Sequence, residues 1–245
     1  MDRAIYTALS AANAALNRQA VTSNNMANSA TAGFRAQLAA FRAVPVEGET
    51  LKTRALVAES TPYNDDTMGP ITHTGRSLDV ALPQNGWLTV ALPDGSEGYT
   101  RNGGIEIDQD GALQVGGKPL MGDGAPLVVP PHSQITIAED GTVSALGAGD
   151  EPTAVVPVGR LKMVNAPMST LIHGDDGLFR PAAGGALPQD DAMRLSPESL
   201  EGSNVSPVKA MTEMIATARS FEMNMKVIRT ADENAQKANQ LLSVG

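Results

Sequence analysis

The chain of 245 residues contains no cysteine. Disulfides, thiolate nucleophiles and zinc sites built on cysteine are therefore excluded. Aromatic residues make up only 3% of the chain, and Trp87 is the single tryptophan. Ligand pockets are usually lined by apolar and aromatic side chains, so this scarcity argues against a secreted β-rich enzyme or carbohydrate-binding protein. A protein of that class is therefore the less favoured alternative.

The chain also has a deficit of positive charge and of long apolar segments. There are 27 Asp and Glu residues against 18 Lys and Arg residues, a formal net charge of −9. This charge argues against a nucleic-acid partner and against an anionic membrane surface. No run of 18 apolar residues is present, so we expect no membrane insertion. Polar residues such as Tyr6, Ser10 and Asn13 interrupt the first segment, which is typical of an amphipathic helix and not of a cleavable signal peptide.

Catalytic and metal-binding patterns are likewise missing. The sequence has no G-x-S-x-G, no P-loop and no G-x-G-x-x-G. His73, His132 and His173 are too far apart in sequence to form a metal-binding pair on one helix. The acidic pairs Asp65-Asp66 and Asp175-Asp176 are typical of solvated turns. We therefore predict no catalytic residue, no metal, no cofactor and no enzymatic activity.

The two ends of the chain have helical periodicity. Near the N-terminus, Ile5, Leu9, Ala12 and Leu16 recur at intervals of four, three and four residues, which predicts one helix. Only three of the first 30 residues are charged, which indicates that this helix has contacts on more than one side. Near the C-terminus, apolar residues recur at alternating intervals of three and four, the pattern of a coiled-coil seam.

The start of the last helix is well marked, because Ser206 is a good N-cap and Pro207 suits the first helical position. The seam weakens towards the C-terminus, where Asp232 and Asn239 occupy seam positions. The predicted seam residues are Ile5, Leu9 and Leu16 in the first helix, and Met211, Met214, Ala218, Phe221, Met225, Ile228 and Leu242 in the last.

The middle of the chain has short runs rich in Val, Leu and Ile, such as 87–92, 134–138 and 158–164. Turn signals of the Asp-Gly and Asn-Gly type separate these runs, which predicts β-hairpins. We therefore expect an α+β protein with a compact antiparallel β domain over 76–205. Residues 31–75 are expected to form an extended connector with one or two strands. An isolated terminal helix is marginally stable in water, so we expect residues 1–30 and 206–245 to pair as a coiled coil.

Two motifs near the chain ends resemble a known family. Asn25-Met26-Ala27-Asn28, followed by Thr31-x-Gly33-Phe34-Arg35, is similar to the N-terminal signature of the bacterial flagellar rod, hook and hook-associated proteins. Leu200-Glu201-Gly202-Ser203-Asn204-Val205 is similar to their C-terminal signature. In the middle, Tyr99-Thr100-Arg101-Asn102-Gly103 resembles the family's Y-T-R-x-G hairpin. The opening residues Met1-Asp2-Arg3-Ala4-Ile5-Tyr6 resemble the proximal-rod members.

The resemblance implies a structural role in the flagellar basal body. Such proteins are exported unfolded by the flagellar type III apparatus, and they polymerise into a helical rod that crosses the periplasm and transmits torque. The terminal helices would form an inner coiled coil, and the β domain would face outward. The implied partners are further copies of the chain, the neighbouring rod proteins and the export apparatus. Another axial member, such as the distal-rod protein, is the nearer alternative.

The residues of the first motif also have a local physical interpretation. Gly33 can adopt a positive φ and end the helix, and Phe34 can then fold back as an apolar anchor. Asn25 and Asn28 can bond carbonyls at the helix end or bridge to neighbours. Asn204 is either a cap for the last helix or a contact between subunits. The motif therefore sets the direction in which the chain leaves its first helix.

Overall fold

The computed structural model describes residues 2–45, 55–131, 133–147 and 155–243. The chain divides into two compact units. The helical unit comprises Met1–Ser29, Ala36–Asp65 and Val205–Gly245, and the β unit comprises Ala30–Arg35 and Asp66–Asn204. Each motif near a chain end thus contributes residues to both units.

In its described residues, the helical unit contains two helices and one long hairpin. Helix α1 is Asp2–Ala27 and helix α2 is Pro207–Ser243. Strands β1 (Gln37–Pro45) and β2 (Ala55–Asn64) pair antiparallel from Gln37↔Asn64 to Pro45↔Ala55. Helix α1 contacts α2 and both strands. The hairpin lies within residues 31–75, for which the sequence predicted an extended connector with one or two strands.

The predicted start of α2 is confirmed. The helix begins at Pro207, and the backbone N–H of Lys209 points at Ser206 Oγ over 3.5 Å. The proline at the first helical position has no N–H to satisfy, and the serine hydroxyl accepts one of the free amides of the first turn. Among the described residues, neither helix contains a stretch apolar and long enough to cross a bilayer.

Where the structure describes it, the β unit consists of short antiparallel strands and one short 3-10 helix, Met168–Thr170. The central sheet has five strands in the order β13-β5-β6-β15-β14, and the remaining strands form sheets of two or three. The strands are β3 (Ile71–His73), β4 (Val80–Ala81), β5 (Gly86–Ala91), β6 (Glu97–Thr100), β7 (Glu106–Ile107), β8 (Leu113–Val115), β9 (Lys118–Pro119), β10 (Gln134–Ile137), β11 (Thr142–Leu146), β12 (Val156–Arg160), β13 (Met163–Asn165), β14 (Leu171–His173), β15 (Phe179–Pro181), β16 (Ser196–Pro197) and β17 (Ser199–Glu201).

The five-stranded sheet buries side chains on both faces. Successive residues of a strand point to opposite faces, and Leu88 and Val90 of β5 therefore enter one apolar cluster while Trp87 enters another. The first cluster is aliphatic. The second contains most of the aromatic side chains of the β unit, including Tyr99 and Phe179. Together the clusters provide the core that a domain of many short strands needs.

The predicted α+β class is confirmed, and most predicted turns join strands as expected. Asp94-Gly95 joins β5 to β6, Asp140-Gly141 joins β10 to β11, and Asp176-Gly177 joins β14 to β15. The predicted run 158–164 is divided, because β12 pairs with β11 whereas β13 pairs with β5. The break lies at Leu161 and Lys162, whose amides donate to Gly141 and Met121 outside both ladders.

Candidate functional site

The N-terminal motif begins in the last turn of α1. Asn25 forms two hydrogen bonds with the backbone of Gln37, since its Nδ2 donates to the carbonyl and its Oδ1 accepts from the amide, both at 2.8 Å. It thus acts as a short strand partner for the start of β1. Asn28 Nδ2 donates to the Asn24 carbonyl at 3.0 Å, which confirms the prediction of a bond to a helix-end carbonyl. The two asparagines fix the end of the helix in different ways.

Gly33 lies where the chain enters the β unit. Its φ is +68°, as predicted, and its amide donates to the Glu201 carbonyl at 2.9 Å. The prediction that Gly33 ends the first helix is wrong, because α1 already ends at Ala27 and Gly33 belongs to the turn that follows. A Cβ at this position would overlap the backbone carbonyl group of Arg101. Glycine is therefore required twice here, for the left-handed backbone and for the close approach of another chain segment.

A buried ionic cluster, formed by Arg35, Arg101 and Glu201 and called the Glu201 cluster below, joins the motifs. The Glu201 side chain is 1% exposed and the two arginine side chains 0%. Arg35 Nη2 lies 2.9 Å from Glu201 Oε1, and Arg101 Nε donates to Glu201 Oε2 at 2.9 Å. Arg101 Nη2 contacts the same Oε2. The carboxylate therefore receives one arginine on each oxygen.

Arg101 is anchored by more than the carboxylate. Its guanidinium donates to several carbonyls of the segment that leads into β5, and its Cζ lies 5.7 Å from the centre of the Trp87 ring. These bonds satisfy the donors of a side chain that water does not reach. The accepting carbonyls belong to Leu82 (3.0 Å), Pro83 (2.7 Å), Gln84 (2.8 Å) and Gly86 (2.7 Å).

The two terminal motifs also contact each other next to the cluster. Arg35 Nη1 donates to the Thr67 carbonyl, and Asn204 Nδ2 donates to the same carbonyl at 2.9 Å. The Asn204 amide donates to the Phe34 carbonyl at 3.3 Å. Asn204 thus joins segments of one chain, a role different from the two that the sequence left open.

The other motif residues lie around these contacts. Leu200 pairs with Thr72 between β17 and β3. Met26, Phe34, Leu200 and Val205 are half-buried, Ser203 is buried, and Ala27 and Thr31 are exposed.

Arg101 is the main functional candidate that the sequence-based site prediction omitted. It stands in the Y-T-R-x-G motif, but a strand-flanking arginine is usually assigned to the surface. The sequence motifs could have indicated the role of Arg101, because each of the three motifs contains one charged residue of the cluster: Arg35, Arg101 and Glu201. Gly69, whose amide donates to Glu201 Oε1 at 3.0 Å, had no comparable signal.

Helix α1 has contacts on two sides. Ser10 Oγ donates to the Val57 carbonyl at 3.1 Å and accepts from its amide at 3.0 Å, so this side of α1 faces the hairpin. The roughly opposite side buries Ala8, Ala12 and Ala15, and we assign it to the contact with α2. The face repeats at intervals of three and four and consists of Ile5, Ala8, Ala12, Ala15, Gln19, Thr22 and Met26.

The predicted seam residues of α1 divide between this face and its flank. Ile5 lies on the face, whereas Leu9 and Leu16 are 45% and 50% exposed within one chain. The helix-helix contact therefore uses small alanines, and the larger leucines remain on the outside. Small side chains allow two helix axes to approach closely.

Helix α2 also has one more buried face, with exposed apolar residues beside it. Its more buried residues recur at intervals of three and four: Ala210, Met214, Thr217, Phe221, Asn224, Ile228, Ala231, Ala235 and Ala238. The predicted Met214, Phe221 and Ile228 belong to this face. Met211 and Met225 are 53% and 42% exposed, and Ala218 is exposed as well. The side chain of Leu242 lies outside the described residues.

A groove of about 300 Å³ lies between α1 and the hairpin in the helical unit. Its walls include Tyr6, Leu9, Phe41, Leu56 and Val57. The groove is mostly apolar and shallow, and no acidic, basic or histidine side chain is among the described residues that line it. It therefore resembles a packing surface more than a catalytic pocket.

Asp176 and His173, elsewhere in the β unit, have pKa values that their surroundings shift. Hydrogen bonds from Arg180 lower the pKa of Asp176 from 3.8 to about 2. Burial lowers the pKa of His173, whose ring packs edge-on against Phe179 at 4.8 Å. Within the described part of the chain, no group of three or more acidic or histidine side chains could hold a metal ion. His132 lies outside the described residues.

Three family models match the sequence. The model described as "Flagella basal body rod protein" matches residues 5–35, and "Flagellar hook protein FlgE/F/G D1 domain" matches residues 81–145. The model "Flagellar basal body rod FlgEFG protein C-terminal" matches residues 196–241. Each of the three matched regions contains one charged residue of the Glu201 cluster.

Curated relatives match over their full length. The flagellar basal-body rod protein FlgF of Salmonella typhimurium is 56% identical over 250 residues, covering 100% of both chains. The FlgF protein of Escherichia coli has the same identity and coverage. The flagellar basal-body rod protein FlgG of Agrobacterium fabrum is 33% identical over 95% of this chain and 97% of its own.

Proposed function

The chain belongs to the family of flagellar basal-body rod proteins and is a structural subunit of the rod, and we propose that it forms the proximal segment. In this proposal the chains polymerise into a helical tube across the periplasm. The tube transmits motor torque to the next segment. The opening residues Met1-Asp2-Arg3-Ala4-Ile5-Tyr6, which resemble the proximal-rod members, support the proximal assignment. The 56% identity to the basal-body rod protein FlgF of Salmonella typhimurium over the full length supports the rod assignment itself.

The observation that carries the polymer proposal is the division of apolar residues on the terminal helices. Alanine-rich faces account for the contact within one chain, whereas Leu9, Leu16, Met211, Ile215 and Met225 remain exposed. A monomer gains nothing from exposing such side chains. These side chains are about half exposed, so their burial against neighbouring subunits would stabilise the polymer by roughly 0.7–1.5 kcal/mol for each side chain.

The same faces support the proposal that α1 and α2 form a coiled coil at the centre of the polymer. Both inner faces keep the alternating three-and-four spacing over five or more turns. Many small apolar contacts in parallel resist slip better than surface ion pairs, which contribute about 0–1 kcal/mol each. The arrangement suits a part that must bear torsion.

The proposed partners are further copies of this chain and the neighbouring rod proteins. Delivery would use the flagellar type III export apparatus, which passes unfolded chains. The alternative of a different axial protein has less support, since the Agrobacterium fabrum FlgG protein is only 33% identical. A secreted β-rich binding protein is not supported by these relatives, which are named as rod proteins.

The test replaces one exposed apolar residue of α2 by a charge. Met225→Glu is expected to exclude the chain from basal bodies purified from cells that lack the wild-type copy. Thr230→Glu introduces the same charge on an exposed position of the same helix, away from the Met225 flank, and should be incorporated. Circular dichroism of both purified variants should match the wild type. Incorporation of Met225→Glu at the wild-type level would contradict the proposal.

A further inference from the structure

We propose that Glu201 makes closure of the β unit conditional on its last strand. In this proposal the segments of the β unit that precede residue 199 do not reach a stable closed fold until β17 supplies the carboxylate of Glu201. The Glu201 cluster then acts as a folding checkpoint within the chain. This inference does not depend on the polymer assigned above.

The first support is the number of segments that Glu201 holds. Its Oε1 accepts from Gly69, 132 residues earlier, and its Oε2 accepts from Arg101, 100 residues earlier. Its own carbonyl accepts from Gly33 at 2.9 Å. A single residue near the C-terminal edge of the unit therefore connects three segments that lie far apart in the sequence.

The second support is the cost of leaving the site without the carboxylate. Arg101 is fixed by four backbone carbonyls around the entrance to β5, so that it stays in the interior when the surrounding segments fold. Arg35 is equally buried. Two buried guanidinium groups without an anion are strongly unfavourable, because each has lost its hydration. A closed intermediate without Glu201 is therefore disfavoured.

The consequence concerns the order of folding. During synthesis, a chain that has been made only as far as residue 195 contains both arginines and the strands of the five-stranded sheet, but it lacks the carboxylate of Glu201. Such a chain remains open, and closure follows in one cooperative step once β17 pairs with β3. The segment 199–201 would then fold together with β5 and β6 and not after them.

The first experiment uses the full wild-type chain refolding from denaturant. Pulse-labelling hydrogen exchange with mass spectrometry measures protection of 86–100 and of 199–202, and the fluorescence of Trp87 reports on the ring next to Arg101. We expect both segments to gain protection in the same kinetic phase as the fluorescence change. Protection of 86–100 in an earlier phase would overturn the proposal.

The second experiment compares Glu201→Gln with Glu198→Gln in the full chain. Glu198 carries the same charge three residues away, and its side chain is half-exposed. Glu201→Gln is expected to lower the folding equilibrium constant by about a hundredfold or more. Most of the loss should appear as slower refolding, and Glu198→Gln should refold at the wild-type rate. Unchanged refolding with faster unfolding of Glu201→Gln would show that the ion pair forms after closure and would overturn the proposal. If Glu201→Gln does not fold, the labelling experiment on the wild-type chain still tests the proposal, because it needs no variant.

Discussion

Replacing Gly33 by alanine should destabilise the β unit more than the same change at Gly75. Both glycines belong to the β unit and have nearly the same backbone conformation, with φ of +68° and +72°. A Cβ on Gly33 would overlap the Arg101 backbone, whereas a Cβ on Gly75 would meet nothing within 4 Å. The pair of variants therefore separates steric overlap from backbone strain.

The expected magnitudes follow from these two terms. The left-handed conformation costs a residue with a Cβ about 1–2 kcal/mol, and both variants bear this cost. Gly33→Ala must also displace the backbone that positions the Arg101 guanidinium, and overpacking of this kind costs about 1–3 kcal/mol more. We expect a total loss of about 2–5 kcal/mol for Gly33→Ala and of about 1–2 kcal/mol for Gly75→Ala.

The assay is denaturant unfolding monitored by Trp87 fluorescence, because this tryptophan lies in the β unit and is the only one in the chain. The linear dependence of unfolding free energy on denaturant concentration gives the stability of each variant. Equal losses for the two variants, to within about 0.5 kcal/mol, would refute the argument that Gly33 is constrained by the approach of Arg101.

Three further outcomes follow from single side chains of the β unit. The Thr89 hydroxyl is buried with no hydrogen-bond partner among the described residues, so Thr89→Val should raise the unfolding free energy by about 1 kcal/mol in a denaturant titration. Burial raises the pKa of Tyr99 from 10.0 to about 12, so its contribution to stability should be present below pH 10 and be lost as the pH rises to 12, as measured by ultraviolet absorbance and thermal unfolding. Asp176 has a lowered pKa of about 2, so its pairing should stabilise the fold above pH 3.8 and be lost as the pH falls towards 2. Arg180→Gln should return the pKa of Asp176 towards 3.8 in an NMR titration, with less than about 1 kcal/mol of stability lost because both side chains are partly exposed.

The sequence predicted both helices and their repeat, but not the faces that meet within one chain. A repeat of three and four residues leaves two choices at every second position, because two adjacent residues satisfy the spacing. After Ile5, for example, either Ala8 or Leu9 fits. The hydrophobic pattern favours the larger residue, which is Leu9. Alanine contributes little to a hydrophobic pattern, although its size is what permits close helix contact. Analysis of the hydrophobic pattern therefore favours large apolar residues over the small alanines that pack between the helices.

The Glu201 cluster shows a second limit of prediction from sequence, which concerns contacts between distant residues. Local signals such as turn residues, caps and periodicity depend on neighbours in sequence. They correctly predicted the positive φ of Gly33 and the start of α2 at Ser206 and Pro207, but they wrongly made Gly33 the residue that ends α1. The pairing of Arg101 with Glu201 spans 100 residues and depends on how the strands are arranged. A charged residue predicted from sequence alone is assigned to solvent by default. The position of Arg101 in the Y-T-R-x-G motif was the one feature of the sequence that indicated a role other than a solvent-exposed charge.

The central claim is that the outer flanks of the terminal helices become buried when subunits assemble. The chain has no cysteine, so a single introduced cysteine can be labelled without background. Maleimide reactivity should be compared for Leu16→Cys, Met225→Cys and the exposed turn variant Gln109→Cys, in the purified chain and in isolated basal bodies. The account predicts that all three react in the purified chain and that only Gln109→Cys still reacts in the basal body. Full reactivity of Leu16→Cys and Met225→Cys in assembled basal bodies would contradict it.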